Sequence, residues 1–435
     1  MSTFARRPTV VLALSAALAA FALVALFLFA QRGDSPATAA GGGRPSPDQV
    51  ISEAEDRVAA DPTFAPALTK LAEGYFARAG DTGDPAWLTK AEDAGRRAAA
   101  ADPTAFEAFD ALATIAASRH RFEEALEWTR RSLAVAPTRV APLSIRTDAL
   151  IELGRYREGF AVAERIQNLR PDLASYSRVS YARELVGDRR SAIRLMRLAI
   201  GAAALGSSER ATARTELGLV LLAQGDLDAS EREMRAALAE TPDSTNAMFG
   251  LGRVLATRGD LAEAARLFTD VAIALPEPDH LAALAEVEQA LGRTDAAAAH
   301  VAAMRASLDR LVDNGSNVDL DRPLLEADFR RPTAADIAMA RRGREARPGI
   351  VGDQVLGWVL TRAGRCEQGD RFATRSLRLG TQDPFLLFHA GMAAACAGRD
   401  DVARSRLSAA LEMNPAFSVR WAPVARQQLA RLTTA

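Results

Sequence analysis

This 435-residue chain has few aromatic residues and almost no lysine. Only 6% of its residues are Phe, Trp or Tyr, and Lys70 and Lys90 are its only lysines. Its 54 basic and 55 acidic residues leave a net charge of −1, whereas a nucleic-acid-binding protein carries a basic excess on one face. Because 49% of the residues are hydrophobic but so few are aromatic, Ala and Leu must supply most of the apolar surface. This composition suits closely packed helices and argues against a nucleic-acid partner.

The sequence also lacks the motifs that accompany catalysis, metal binding or cofactor binding. It contains no HExxH, GxSxG, Walker or GxGxxG pattern. A catalytic or metal-binding histidine needs partners close by, but the four histidines, His120, His280, His300 and His389, lie far apart in the chain. We therefore predict a protein that is not an enzyme, with no metal site and no cofactor.

The longest apolar run lies near the N-terminus. Residues 10–30 (VVLALSAALAAFALVALFLFA) would extend about 31 Å as a helix, which matches the hydrocarbon core of a bilayer. Arg6 and Arg7 precede this run, so the positive-inside bias leaves residues 1–9 in the cytoplasm and the rest of the chain outside it. We expect a single-pass, uncleaved transmembrane signal anchor in a bacterial envelope.

A cleaved signal peptide is the alternative, because Ala37-Thr38-Ala39 is an acceptable small-x-small cleavage site. Cleavage would make the protein secreted. Residues 31–46 are rich in Gly, Pro and Ala without periodicity, and this composition is typical of a flexible linker.

Two sets of helix-breaking residues divide the remaining chain at intervals of about 34 residues. The prolines are Pro62, Pro103, Pro137, Pro171, Pro242, Pro276, Pro348 and Pro415. The glycines are Gly154, Gly187, Gly225, Gly259, Gly292, Gly364 and Gly398, and His120 stands where another glycine is expected. Two markers in one register predict an array of helical repeats.

The unit from Asn246 to Pro276 illustrates the pattern. Its first helix carries an apolar stripe and ends at Gly259, which supplies the positive φ of a helix cap. Asp260 follows at the start of the second helix, and Pro276 ends that helix because it cannot continue it. The product is an antiparallel helix pair that needs neighbouring pairs to bury its apolar face.

These residues resemble the tetratricopeptide repeat (TPR) family. The resemblance rests on a Leu-Gly pair in the first helix, a Gly before the turn, an Ala in the second helix and a terminal Pro, which here are Leu251, Gly252, Gly259, Ala264 and Pro276. It implies an all-α solenoid, a right-handed superhelix of about ten helix pairs, after one N-terminal transmembrane helix. The first part of the array covers 47–311, an irregular repeat with Pro323 in a short helix covers 312–348, and C-terminal repeats with a capping helix cover 349–435.

The resemblance also implies a partner-binding groove, because the first helices of TPR units line the concave side of the superhelix. Carried over to this chain, the groove residues are Asn246, Phe249, Arg253, Thr257, Gln354, Trp358, Thr361, Arg362, Phe388, His389 and Met392. Aromatic and Arg side chains dominate interface energies, which favours a role in binding. The alternative is that Trp358 and the phenylalanines fill gaps between helices.

The only two cysteines, Cys366 and Cys396, lie at neighbouring helix ends on the same side of the predicted solenoid. An extracytoplasmic compartment would allow a disulfide between them, and two separate buried thiols are the alternative. As a whole, the sequence predicts a membrane-anchored, extracytoplasmic scaffold or adaptor that binds a protein or peptide. The alternatives are an accessory or small-ligand-binding module of an envelope enzyme or transport system, and a structural component that self-assembles.

Overall fold

The computed structural model describes residues 45–434, and these form helices without any strand. The predicted cytoplasmic N-terminus and transmembrane anchor, together with the linker up to residue 44, lie outside the described residues. Within the described part, no helix is long and apolar enough to cross a membrane. The helices are α1 (Pro47–Ala60), α2 (Ala65–Thr82), α3 (Ala86–Ala101), α4 (Phe106–Ser118), α5 (Phe122–Val135), α6 (Val140–Glu152), α7 (Tyr156–Leu169), α8 (Leu173–Leu185), α9 (Arg189–Ala202), α10 (Ser208–Ala223), α11 (Leu227–Glu240), α12 (Thr245–Arg258), α13 (Leu261–Ala274), α14 (Pro278–Ala290), α15 (Thr294–Asp313), α16 (Asp321–Phe329), α17 (Ala334–Ala346), α18 (Ile350–Arg362), α19 (Cys366–Ser376), α20 (Pro384–Cys396), α21 (Asp400–Met413) and α22 (Trp421–Thr434).

These helices form a solenoid in which each helix packs on the next. From α2 to α21 they make ten pairs, and α1 and α22 cover the two ends. The all-helical fold and the ten pairs predicted from the Gly and Pro spacing are therefore confirmed for residues 45–434.

The turns within the pairs adopt the conformation that the glycine pattern predicts. Gly154 has φ of 71°, and its N–H and that of Arg155 donate to the carbonyls of Ile151 and Leu150. His120 occupies the equivalent position with φ of 56°, and within the described residues it is the only non-glycine residue with positive φ. A side chain in this region is unfavourable, so the repeat geometry imposes the turn even where Gly is missing.

Small residues inside the helices allow the two members of a pair to approach closely. A Cβ added to Gly357 of α18 would lie 2.6 Å from the backbone nitrogen of Ala373 in α19. A Cβ added to Gly252 of α12 would lie 2.6 Å from the ring of Phe268 in α13. Gly357 and Gly252 are thus required by packing rather than by backbone conformation.

The superhelix closes on itself, which the repeat spacing does not predict. The Ile350 N–H donates to the Tyr156 hydroxyl (2.6 Å), the Thr381 hydroxyl donates to the Leu185 carbonyl (2.6 Å), and the Asn414 side-chain amide donates to the Leu222 carbonyl (2.8 Å). The partners are 192 to 196 residues apart, so one superhelical turn takes about six repeats. We call this contact the seam: the turns after α6, α8 and α10 against residues 347–350, 380–386 and 413–415.

Buried charged and apolar side chains hold the seam together. Arg347 donates to the Glu152 carboxylate, and both side chains are buried. Beside them, Ile151 and Leu185 pack with Ile350 and Leu386. The seam therefore joins the two superhelical turns as a packed interface.

The irregular unit is built differently from its neighbours. Its first helix, α16, has only nine residues, and Pro323 lies in the first turn, where its missing N–H costs no helical hydrogen bond. The preceding helix, α15, has 20 residues and reaches further than the other second helices. Near the end of α16, Asp328 accepts hydrogen bonds from the Trp358 indole of α18 (3.1 Å) and, at its carbonyl, from Arg420 (2.6 Å).

Candidate functional site

A cavity of about 190 Å³ lies inside the superhelix behind the seam. The inner faces of α8, α10, α12 and α14 form one side of it, and residues from α18, the start of α20 and the segment 414–419 form the other. The concave surface in this region is thus a partly enclosed pocket rather than an open trough.

One position in each repeat supplies the inner wall. The residue six places before the turn glycine is Tyr181 in α8, Leu219 in α10, Arg253 in α12 and Glu286 in α14, and all four line the cavity. Because the units share one geometry, this position points to the superhelix axis in each of them. The repeat register therefore predicts which side chains face inward, although their chemistry varies from one unit to the next.

Two carboxylates in the cavity wall have strongly perturbed acidity. Burial raises the pKa of Glu184 to about 8, and the neighbouring charges of Glu216 and Asp383 act in the same direction. Burial also raises the pKa of Glu216 to about 7, against the lowering effects of Ser177 and the Arg178 charge. Sequence patterns did not single out either glutamate, since a lone Glu on a helix usually faces solvent.

Arg253 occupies another part of the wall. Burial lowers the pKa of its guanidinium to about 10, while the charges of Asp383, Asp279 and Glu286 act in the opposite direction. The residue was predicted to line the groove, and in the structure it lines the cavity together with Thr257 and Gln354.

Two other predicted groove residues of α12, Phe249 and Asn246, do not line this cavity. Phe249 is buried and packs on Phe268 and His280, with ring centroids 5.3 and 4.6 Å away. Asn246 is half-buried near the start of α12. Phe249 is thus a core residue in this unit.

The aromatic groove residues predicted on α18 and α20, Trp358 and Phe388, also lie in the core, which corrects their predicted place in an open groove. Trp358 and Phe388 have no more than 1% of their surface exposed, and the indole N–H of Trp358 donates to Asp328 (3.1 Å). Trp421 of the last helix packs against both rings, at centroid distances of 5.2 and 5.4 Å. The gap-filling alternative describes these residues, because α22 covers the surface that a partner would need.

The other predicted groove residues of α18 and α20 surround the aromatic cluster of Trp358, Phe388 and Trp421. His389 stacks on Trp358 at 4.2 Å and lies 3.3 Å from the Gln354 amide, and burial, followed by the Arg362 charge, lowers its pKa to about 3. Arg362 donates to the Ala327 carbonyl (2.9 Å). The residues Thr361 and Met392 are half-buried, the first donating to the Gly357 carbonyl and the second packing on the aromatic cluster.

An open groove exists at the other end of the array. It has a volume of about 880 Å³ and runs along α1 and α2, with Ser208 of α10 at its border. We call it the N-terminal groove. Phe64 lies in it with 40% of its surface exposed, beside the charged residues Arg57, Lys70 and Glu73.

Cys366 and Cys396 form a disulfide that links the start of α19 to the end of α20. Their Cα atoms are 5.1 Å apart, a normal distance for a disulfide. Within residues 45–434, no group of three or more His, Cys, Asp or Glu side chains is arranged to hold a metal ion.

The helix pairs, their capped turns and their inward-facing register agree with a family match. Residues 186–245 and 215–277 match the family described as Tetratricopeptide repeat. Residues 186–277 of this chain are therefore similar to tetratricopeptide repeats. The matched residues run from the turn after α8 to the end of α13 and include two of the four helices that form the first side of the cavity.

The solved structures to which this chain is similar share little sequence with it. A tetratricopeptide repeat protein from Parabacteroides merdae is 16% identical, with a TM-score of 0.40 over 56% of this chain and 97% of its own. A thermophilic TPR protein from Thermus thermophilus is 18% identical, with a TM-score of 0.39 over 44% of this chain and 99% of its own. The APC/C hetero-tetramer Cut9–Hcn1 gives 12% identity and a TM-score of 0.37 over 89% of this chain and 93% of that one.

Similarities at this level carry no inference about partners. No curated protein matches the sequence.

Proposed function

We propose that this protein is a non-catalytic scaffold, anchored in the membrane and extracytoplasmic, that binds a protein or peptide partner. The observation that carries the proposal is the array of ten TPR helix pairs, since TPR repeats suggest protein interaction. The apolar run of residues 10–30 and the linker of residues 31–46 support the anchor.

The Cys366–Cys396 disulfide supports the extracytoplasmic part of the proposal. Disulfides form and persist in oxidising compartments and are rare in the cytosol. The bond links Cys366, half-buried at the start of α19, to Cys396, exposed at the end of α20. An oxidising compartment therefore fits this bond best.

The N-terminal groove is the part of the array that we assign to the partner. The inner face of the middle array is partly enclosed behind the seam, and helix α22 fills the inner face of the last units. By contrast, the N-terminal groove is more open, has a volume of about 880 Å³ and combines an exposed aromatic, Phe64, with charges of both signs. It also lies next to the predicted linker, so a partner held there would be kept close to the membrane.

Co-purification of partners with the full chain from solubilised membranes tests this assignment. The test variant is Phe64→Arg, and the control is Ile273→Arg, because Ile273 is 77% exposed and does not line the groove. We expect Phe64→Arg to lose the partners that wild type and the control both retain. Equal recovery with all three proteins would contradict the assignment.

Protease accessibility in cells tests the membrane topology. With the inner membrane intact and the outer barrier opened, we expect protease to degrade the TPR array and to spare an epitope placed before residue 10. A protected array would overturn the extracytoplasmic proposal, and a protein that lacks the N-terminal epitope and is released from membranes would favour a cleaved signal peptide.

A second candidate function is favoured by the cavity behind the seam. An open trough suits another polypeptide, whereas a partly enclosed, partly polar space of about 190 Å³ suits a small molecule. The cavity would make the chain a ligand-binding module of an envelope system, with Arg253, Thr257 and Gln354 among the residues that contact the ligand.

A further inference from the structure

The cavity carries more negative than positive side chains. Its lining contains the carboxylates Glu184, Glu216, Glu286 and Asp383 and the guanidiniums Arg189 and Arg253. Such an imbalance inside a protein is costly, because an isolated buried charge loses its hydration without compensation. The scaffold proposal makes no use of these groups.

Two of the carboxylates lack an ion-pair partner. Among residues 45–434, no hydrogen bond or ion pair reaches the side chain of Glu184, whereas the buried carboxylates of Glu152, Asp353 and Glu326 are each paired with an arginine. The Oε1 atom of Glu216 is shielded from solvent and has no hydrogen-bond donor in the described chain. Unsatisfied buried polar atoms are rare in folded proteins and call for an explanation.

The neighbouring guanidiniums are already committed to other carboxylates. Arg178 donates to Asp148 at 2.7 Å and to two backbone carbonyls. Arg253 interacts electrostatically with Asp383, Asp279 and Glu286 rather than with Glu184. Neither cation therefore neutralises Glu184, and the cavity retains room for a further positive charge.

We infer that this cavity binds a small organic cation of the alkylammonium type, with its ammonium group at Glu184 and Glu216. Tyr181 lies one helical turn before Glu184 on α8, and Leu219 lies one turn after Glu216 on α10, so an aromatic and an aliphatic side chain flank the two carboxylates. The Tyr181 ring adds a cation–π contact, and Leu219 contacts the alkyl part. Arg189 and Arg253 elsewhere in the lining repel a second cation and favour a monovalent ligand.

The size of the cavity restricts the ligand. Sites for drug-sized molecules usually enclose about 300–1,000 Å³. The cavity of about 190 Å³ is smaller, so the ligand is a compact amine rather than a peptide segment. This requirement separates the cavity from the N-terminal groove, whose volume is about 880 Å³.

Protonation is the competing explanation for the unpaired carboxylates. The raised pKa values of Glu184 and Glu216, about 8 and about 7, mean that protons rather than a ligand can neutralise them near neutral pH. A protonated pair would need no cation and would bind none. Binding is therefore measured at about pH 9, where both carboxylates and an alkylammonium ion are charged and protons no longer compete with the ligand.

Isothermal titration of the full chain in detergent with n-butylammonium at that pH tests the inference. n-Butanol, which has the same alkyl part without the charge, is the matched ligand control. We expect saturable one-to-one binding of n-butylammonium and none of n-butanol. Equal heats for the two probes, or no saturable binding of n-butylammonium, would overturn the inference.

Two isosteric variants test the site itself. Glu184→Gln and Glu216→Gln should each weaken n-butylammonium binding at least tenfold, since each removes a charge-assisted contact, whereas Glu127→Gln on the exposed face of α5 should have no effect. Leu219→Phe is an independent variant that reduces the space, and it should weaken n-butylammonium more than methylammonium. Unchanged affinity in both Gln variants would place the amine elsewhere and refute the assignment.

This inference rests on the ligand-module alternative and not on the scaffold proposal, so the two can fail separately. Phe64→Arg should leave n-butylammonium binding unchanged, and Glu184→Gln should leave partner recovery unchanged. Loss of both properties in either variant would contradict the separation of the two sites.

Discussion

The turns of this superhelix differ in what lies against them. Three turn glycines lie at the seam, where an added Cβ would approach backbone atoms of a later unit to 3.1, 2.6 and 2.7 Å: Gly154, Gly187 and Gly225. Three others have no atom within 4 Å of that position: Gly259, Gly292 and Gly398. All six have positive φ, so their local conformation is the same and only their surroundings differ. One repeat position thus serves as a plain helix cap at the open turns and as a contact surface at the seam.

The largest effect should come from the buried charge pair at the seam. Arg347→Met removes the arginine partner of the buried Glu152 carboxylate and should destabilise the protein by about 3–5 kcal/mol, measured by chemical denaturation followed by circular dichroism. Arg130→Met is the matched control, since Arg130 and Glu127 form an exposed pair, and it should change the denaturation midpoint little.

A double variant sharpens this test. Arg347→Met combined with Glu152→Met replaces the whole pair by apolar side chains and should recover most of the loss, because no uncompensated charge remains buried. If the double variant were as unstable as Arg347→Met, the loss would come from packing rather than from the stranded carboxylate.

The next effect contrasts the glycines directly. Gly259→Ala should cost about 1 kcal/mol, the usual penalty for a side chain in left-handed conformation. Gly187→Ala carries the same penalty and also places a methyl group 2.6 Å from the Gly380 carbonyl oxygen, which should add about 2 kcal/mol. The difference in denaturation midpoint between the two variants measures the steric effect of a methyl group at the seam. Equal midpoints would mean that the backbone at the seam moves to accommodate the methyl group without loss of stability.

The cavity behind the seam provides a test by pH. Because Glu184 has a folded pKa of about 8 against an ordinary value of 4.5, the folded protein holds a proton that the unfolded chain releases between these two values. Its contribution to stability therefore falls as pH rises from about 4.5 to 8. Glu184→Gln should remove this decline, and at about pH 9 the variant should be more stable than wild type. A constant difference between the two proteins across this window would contradict the raised pKa.

The smallest effect should come from one hydroxyl. Tyr156→Phe removes the acceptor of the Ile350 N–H at the seam and should cost about 1–2 kcal/mol, because that N–H is left without a partner. Tyr75→Phe is the control, since its hydroxyl donates to Glu55 at an exposed site, and it should change stability by less than about 0.5 kcal/mol. Equal effects in the two variants would show that water replaces the seam bond freely.

The spacing of Gly and Pro was enough to predict the helix pairs, because caps and breaks are local properties of the chain. It located all ten pairs and identified the turn at His120, where a non-glycine residue adopts the glycine conformation. The contacts at the seam could not be predicted from this spacing, because they are not local. They join residues almost 200 positions apart, and such contacts depend on small rotations that accumulate over about six units.

The prediction of the groove residues was limited for the same reason, since the register of a helix is local whereas the shape of the superhelix is not. The register places Arg253 on the inner face, and the structure has it there, lining the cavity. It does not reveal that the inner face at Trp358 is filled by Trp421 from the last helix. Glu184 and Glu216 were missed because their importance comes from enclosure, and only the seam encloses them.

Closure of the superhelix also restricts how such a chain can evolve. An open repeat array tolerates duplication or loss of a unit anywhere, because each unit touches only its neighbours. Here one additional unit between Leu185 and Thr381 would displace every later contact across the seam by about 34 residues. The number of repeats in one superhelical turn is therefore fixed by the contacts across the seam, just as the number of strands is fixed in a closed barrel.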